Sequence, residues 1–214
     1  QGGQIAAEGV VPYGLMDENG KEFRDGVGNL IEYNPEEAKV LFEEGLAEEG
    51  MTLDEFNSKN FILLYNTSES HKKIAQAAQE MWRTKLGINI GLENVEFQVK
   101  LDREKAGDYE ISRGGWIGDY MDPMTLLDLW WSDSSFNDVN YNNPEYDKRI
   151  LESKTLMDQK VRMENMREAE KMLMEDMAVI PVYFYTQPYV TKPGVKGIIK
   201  VPIRYPVITY ADID

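Results

Sequence analysis

The sequence predicts an α/β protein, and three observations carry that prediction. Apolar residues recur at helical spacing over long stretches, short apolar runs bounded by polar residues interrupt them, and the two patterns alternate along the chain. No internal repeat or low-complexity tract intervenes.

Residues 1–33 are rich in glycine and turn signals and are expected to be irregular. Asp17-Glu18-Asn19-Gly20 resembles the opening of a calcium loop, but the regular acidic spacing and closing glutamate do not follow, so it reads as a turn. A helix is expected from Pro35, with Asn34 as its cap and proline already in helical geometry at the first position. Ala38, Leu41, Phe42 and Leu46 share a face of it, and Gly50 ends it. Asn60 to Asn66 is a short apolar run, the mark of a buried strand. A second helix follows from about Ser70, with Ile74, Ala77, Ala78, Met81 and Leu86 as its buried stripe and Gly87 at its end.

Asn94 to Leu101 alternates through Val95, Phe97 and Val99 and is expected as a half-exposed strand, with another short strand at Tyr109–Ser112. Pro123 to Trp131 reads as a short helix capped by Asp122, with Trp130 and Trp131 as packing residues, and Ser132 to Asn143 as a polar loop. Two helices are expected over Pro144–Ser153 and Asp158–Asp176, the second burying Met166, Ala169 and Leu173. Val179 to Tyr185 reads as a strand whose Pro181 places it at an edge, and the proline-rich remainder as irregular.

Composition narrows the function. Hydrophobic residues make up 42% of the 214, enough for a real core. The formal net charge of −15 argues against nucleic acid and against an anionic membrane surface. The absence of cysteine excludes disulfides, thiolate metal sites and a cysteine nucleophile in this chain. His71 is the single histidine, so a histidine metal site and a Ser-His-Asp triad find no support, and a helix-surface role is expected for it. No cofactor or metal is expected. No run of about 20 apolar residues is present to span a membrane. The first residue is Gln1 rather than methionine, so a processed product or an excised piece is expected, with any export signal lost with the missing part.

The richest stretch is Arg113-Gly114-Gly115-Trp116-Ile117-Gly118-Asp119-Tyr120-Met121-Asp122-Pro123. It sets a cation, an aromatic face and an anion on a backbone loosened by glycine, which suits a ligand carrying both an ammonium and a carboxylate. The glycines lack the G-x-G-x-x-G spacing and no P-loop lysine follows, which speaks against a phosphate loop. Asp119 and Asp122 could form an acid/base pair, but Asp122 is already explained as a cap. Taken singly, each residue has a structural reading too. Arg113 could pair with one of many carboxylates, Trp116 could anchor a core, and Asp119 could serve a turn.

With its flanks the stretch is more specific. The run from Arg113 to Pro123, then Leu126-Leu127-Asp128, Asn142 to Asp147, Ala169-Glu170, Leu173, Asp176 and Ile180 to Tyr185, resembles the extracellular solute-binding proteins of oligopeptide ABC transporters. Leu63-Leu64-Tyr65-Asn66, Met81-Trp82 and Leu86-Gly87-Ile88 match upstream, so the resemblance spans roughly residues 1 to 200. It implies a periplasmic-binding-protein-like (type II) lobe, a mixed sheet flanked by helices, within a two-lobed protein more than twice this length. Residues 1–192 would be the ligand-binding lobe, and 193–214 a C-terminal segment that could belong to the other lobe. By the same resemblance Asp119 pairs with a peptide's α-ammonium, Trp116 lines side-chain pockets, Arg113 meets the C-terminal carboxylate of short peptides, and Tyr120 is a further candidate.

The resemblance also implies a monomeric, extracytoplasmic protein without chemistry of its own, in the periplasm or on the cell surface as a lipoprotein. Its partners would be a peptide and membrane permease subunits, with no nucleic acid. Two alternatives stay open: a relative retuned to another solute such as a nickel complex or a sugar, and a hydrolase using Asp119 and Asp122.

Overall fold

The computed structural model describes residues 3–203 and 205–213. The outer ends of the expected 1–192 and 193–214 segments, Gln1 and Asp214, lie outside the described residues. In chain order the elements are β1 (Ile5–Ala6), α1 (Phe23–Val27), α2 (Pro35–Glu48), α3 (Leu53–Ser58), β2 (Ile62–Asn66), α4 (Glu69–Leu86), β3 (Gly91–Val95) and α5 (Phe97–Ala106). There follow β4 (Ile111–Ser112), α6 (Met124–Leu127), α7 (Pro144–Thr155), α8 (Gln159–Glu175), β5 (Tyr183–Phe184), β6 (Val195–Lys196) and β7 (Asp212–Ile213). The chain divides into two compact units, Tyr33–Gly115 and the paired segments Gln1–Glu32 and Trp116–Asp214.

The Tyr33–Gly115 unit is built on a parallel sheet in the order β3-β2-β4. Leu63 of the central strand stands opposite Leu92 on one side and Ile111 on the other. Leu63, Leu64 and Tyr65 are buried, as a strand flanked on both sides requires. The Asn34 side chain accepts the Glu37 N–H and starts α2, and Gly87, at φ 75°, ends α4 in the left-handed conformation. A capping box of Thr52 and Glu55 starts α3, an element the sequence reading passed over although its Thr-x-x-Glu signature was present.

Three expectations in this unit need correction. The strand over Asn94–Leu101 is absent: β3 ends at Val95 and α5 begins at Phe97. Phe97 and Val99 are exposed, so their alternation marks no buried face. Helical spacing instead sets Lys100 one turn from Glu104, where they pair at 2.5 Å, and Ser112 donates to the same carboxylate at 2.6 Å. The buried stripe of α4 is also rotated: Ala75 is covered and Trp82 and Leu86 pack on the core, while Ala77 and Met81 are exposed. On α2, Phe42 and Leu46 are half-buried but Ala38 and Leu41 are exposed.

In the other unit, α7 and α8 pack together through Tyr146, Ile150, Met163, Met166, Ala169 and Leu173. The N-terminal segment joins this core with Val11, Leu15 and Phe23, and Trp130 and Trp131 pack against it. A buried ion pair fixes that segment. Glu170 on α8 is fully buried, accepts the backbone N–H of Val10 and Val11 at 2.8 and 2.9 Å, and pairs with Arg24. Arg24 in turn donates to the carbonyls of Val11 and Gly28, each at 3.1 Å. A side chain at Gly9 would collide with both partners, including Arg24 Nη1 at 2.8 Å, so glycine is required there. Burial raises the Glu170 carboxyl above its ordinary range, and the Arg24 charge pulls it back.

Further corrections fall here. Residues 1–33 contain β1 and α1, and the Asp17–Gly20 turn closes as expected, with Asp17 accepting from Asn19 and Lys21. The strand over Val179–Tyr185 reduces to β5, which pairs antiparallel with β1, because Pro181 cannot donate to a ladder. The tail is not wholly irregular, since β6 pairs antiparallel with β7. The helix over Pro123–Trp131 stops at Leu127, whose carbonyl accepts the buried Tyr146 hydroxyl at 2.5 Å.

Glu170→Ala would leave Arg24 buried and uncompensated. Denaturant unfolding should show a loss of about 3–5 kcal/mol. An unchanged midpoint would contradict the role assigned to the pair.

Candidate functional site

The stretch from Arg113 to Pro123 links β4 to α6, and its tail is fastened to the helices. Arg162 on α8 grips Asp122 with both terminal nitrogens, at 2.7 and 2.8 Å. Asp122 also accepts the Met124 N–H at 2.9 Å while carrying an ion pair, but α6 begins one residue later than expected, with Pro123 rather than Asp122 at its N-cap position. The Asp119 N–H donates to the hydroxyl of buried Thr125 at 2.8 Å. Gly118, just before the first of these ties, is buried. A Cβ there would stand 2.9 Å from both Ile203 and Thr125 side-chain carbons, so the close packing itself selects glycine. Gly114 has no such neighbour, and its side of the stretch is sterically open.

Behind Asp119 the main chain is held by α6, while its residue surface is exposed. Trp116 is 38% exposed and meets Phe136 edge-on, with ring centroids 4.8 Å apart. Tyr120 is 46% exposed. Burial of its hydroxyl and the nearby Asp128 and Asp122 charges push its pKa up to about 12, so it remains a neutral donor at physiological pH. Asp128 is held 3.6 Å from Lys154, whose ammonium lies 5.1 Å from the Trp131 ring centre. Burial raises the Asp128 carboxyl and Lys154 opposes that rise. The structure thus brings Trp116, Asp119 and Tyr120 together in one unit. Sequence reasoning missed Phe136 and Asp128; Asp128, one residue past α6 and within the quoted Leu-Leu-Asp run, was the more legible.

Arg113 belongs to the Tyr33–Gly115 unit. Its N–H donates to the Leu64 carbonyl at 2.8 Å, which carries the ladder one residue past β4. It therefore stands at the carboxyl ends of parallel strands, the usual ligand side of such sheets. His71 lies near the same edge and hydrogen-bonds the Asn66 side chain at 2.9 Å. Partial burial lowers its pKa, and Arg113 and Lys100 lower it further. The expected surface role for His71 misses this setting, because only the fold brings Arg113 close to it.

Among the described residues, no group of three or more His, Cys, Asp or Glu is arranged to hold a metal ion, and no helix is long and apolar enough to cross a membrane. The fold is that of type II periplasmic-binding-protein-like proteins, and on it an exposed carboxylate stands near aromatic side chains on a loop tied to α6 and α8. The description "Bacterial extracellular solute-binding proteins, family 5 Middle" matches residues 1–138, and the chain belongs to that family.

The dipeptide-binding protein DppE of Bacillus subtilis (strain 168) is 36% identical over 207 residues, covering 96% of this chain and 37% of its own. The substrate-binding domain of an oligopeptide ABC transporter from Bacillus anthracis superimposes with a TM-score of 0.82 at 30% identity, covering 99% of this chain and 41% of its own. Listeria monocytogenes OppA bound to peptide gives 0.80 at 30% identity, with 99% and 40% covered. The chain thus spans a little over a third of the length of the curated relatives it matches.

Two measurements test the site. NMR titration of the single histidine should give a pKa below 6.5. With a depressed folded value the unfolded chain binds more protons, so this contribution to stability is lost as pH falls through and below the unfolded pKa of about 6.5. A value at or above 6.5 would contradict the burial and cationic neighbourhood. Gly118→Ala should destabilise by about 1–3 kcal/mol through overpacking against Ile203 and Thr125; a neutral effect in thermal unfolding would show that the packing is not limiting.

Proposed function

We propose that this chain is the peptide-capturing part of the substrate-binding component of an oligopeptide ABC importer. One observation supports this reading above others: Asp119 is exposed on a loop whose chain is tied at Asp119 itself and at Asp122, between Trp116 and Tyr120. A carboxylate fixed in place and then shielded by a closing lobe binds an ammonium far better than one on an open surface. Asp119 receives the peptide's amino terminus, Trp116 and Tyr120 line side-chain pockets, and Arg113 is the cation for the C-terminal carboxylate of short peptides. Main-chain recognition with roomy pockets gives broad sequence tolerance.

In this reading residues 1–192 form the ligand-binding lobe and 193–214 pass to the other lobe. The protein acts as an extracytoplasmic monomer that delivers peptide to permease subunits. It works in the periplasm or as a surface lipoprotein and has no catalytic step. The relatives' names favour peptide over a nickel complex or a sugar. The hydrolase reading loses its second acid, because both oxygens of Asp122 are engaged by Arg162 and one also by the Met124 N–H.

Asp119→Asn in the full-length polypeptide carrying this chain should weaken capture of a short peptide by about 2–5 kcal/mol in calorimetry. Unchanged affinity would remove the ammonium role from Asp119. The 214-residue chain alone should bind peptide weakly or not at all, since the cleft needs the second lobe. Micromolar binding by the isolated chain would contradict that division of labour.

A further inference from the structure

The Tyr33–Gly115 unit carries a surface that peptide capture does not use. Helix α2 has no fully buried side chain, although most helices in folded proteins owe their stability to a covered face. Leu41, Phe42 and Leu46 of α2, with Met51, Phe56 and Phe61, instead line an open, almost wholly apolar groove of about 370 Å³. Leu41 is 60% exposed at its edge. The floor is rigid, because the Phe56 ring packs against those of Phe42 and Phe61 at 5.1 and 5.0 Å.

Charge is segregated around it. Residues 34–61, which supply all of its lining, hold eight carboxylates against two lysines, Lys39 and Lys59, whereas residues 62–115 hold eight lysines and arginines against eight carboxylates. The net negative charge of the unit thus sits on the segment that forms the groove. Glu44 and Glu48 follow Leu41 at helical spacings of three and seven, so they flank its exposed side, and the lining itself carries one charge of each sign, Glu49 and Lys59.

We propose that the α2 groove docks a basic amphipathic helix of a protein partner. Apolar side chains at i, i+3 or i+4, and i+7 of such a helix fill the groove, and its flanking lysines or arginines meet the acidic rim. A second copy of this chain is disfavoured, because it would bring two acidic rims face to face. This inference is independent of the peptide reading, since its residues lie apart in sequence from those assigned to peptide.

The test uses two synthetic amphipathic helices of the same design, one built from leucine and lysine and one from leucine and glutamate, with binding read by fluorescence anisotropy. The chain should bind the lysine helix and not the glutamate helix. Leu41→Asp and the double change Glu44→Lys/Glu48→Lys should each weaken binding at least about tenfold, with folding checked by circular dichroism. A control of equal charge, Glu152→Lys/Glu164→Lys on α7 and α8, should bind as the parent does. No binding of the lysine helix, equal binding of both helices, or equal losses in the control would overturn the proposal. So would self-association of the parent chain that Leu41→Asp abolishes, which would give the face to a second copy.

Discussion

The fold of the larger unit depends on one buried carboxylate. Glu170 sits on α8 with no exposed surface, and one of its oxygens accepts two backbone N–H groups and the Arg24 guanidinium. A buried charge is tolerated only when it is paired and hydrogen-bonded, so the chain near Val10 and the helix at Arg24 have to stay on α8. Gly9 is the corollary, because any side chain there would displace the pair. The segments Gln1–Glu32 and Trp116–Asp214, far apart in sequence, are thereby held as one body.

The same helix steadies the loop that carries the candidate ligand-binding residues. A little over two turns before Glu170, Arg162 clasps Asp122 and fixes the end of the stretch that carries Trp116, Asp119 and Tyr120. Thr125 holds the Asp119 main chain, and Gly118 just before it is packed against Ile203, Thr125 and Leu126. Rigid support matters here because a single ion pair with a ligand is weak on a mobile, hydrated surface. It strengthens when the carboxylate need not be ordered on binding.

Helices were legible wherever a local signal stated them. Asn34 with Pro35, Asn143 with Pro144, and Asp158 each accept backbone N–H groups at the expected helix start. The sequence failed where tertiary pairing decides. Val95, Phe97 and Val99 alternate like a strand, yet only Val95 has a partner in β2, and the next residues turn helical so that Lys100 can meet Glu104. The two-residue strands Ile5–Ala6 and Tyr183–Phe184 exist only because each finds the other across most of the chain, which no local pattern announces.

At the candidate site, the Arg113–Pro123 stretch stands out in the sequence by chemistry and by resemblance, while the meeting of Trp116 with Phe136 and the closeness of His71 to Arg113 arise from folding alone. The central claim is that a fixed Asp119 holds a peptide's amino end. Calorimetric titration of the full-length polypeptide with a short peptide and its N-acetylated form tests it most directly. Acetylation removes the cation and leaves the rest of the ligand unchanged, so affinity should fall at least about tenfold, ~1.4 kcal/mol. Equal affinity for the two forms would contradict the account.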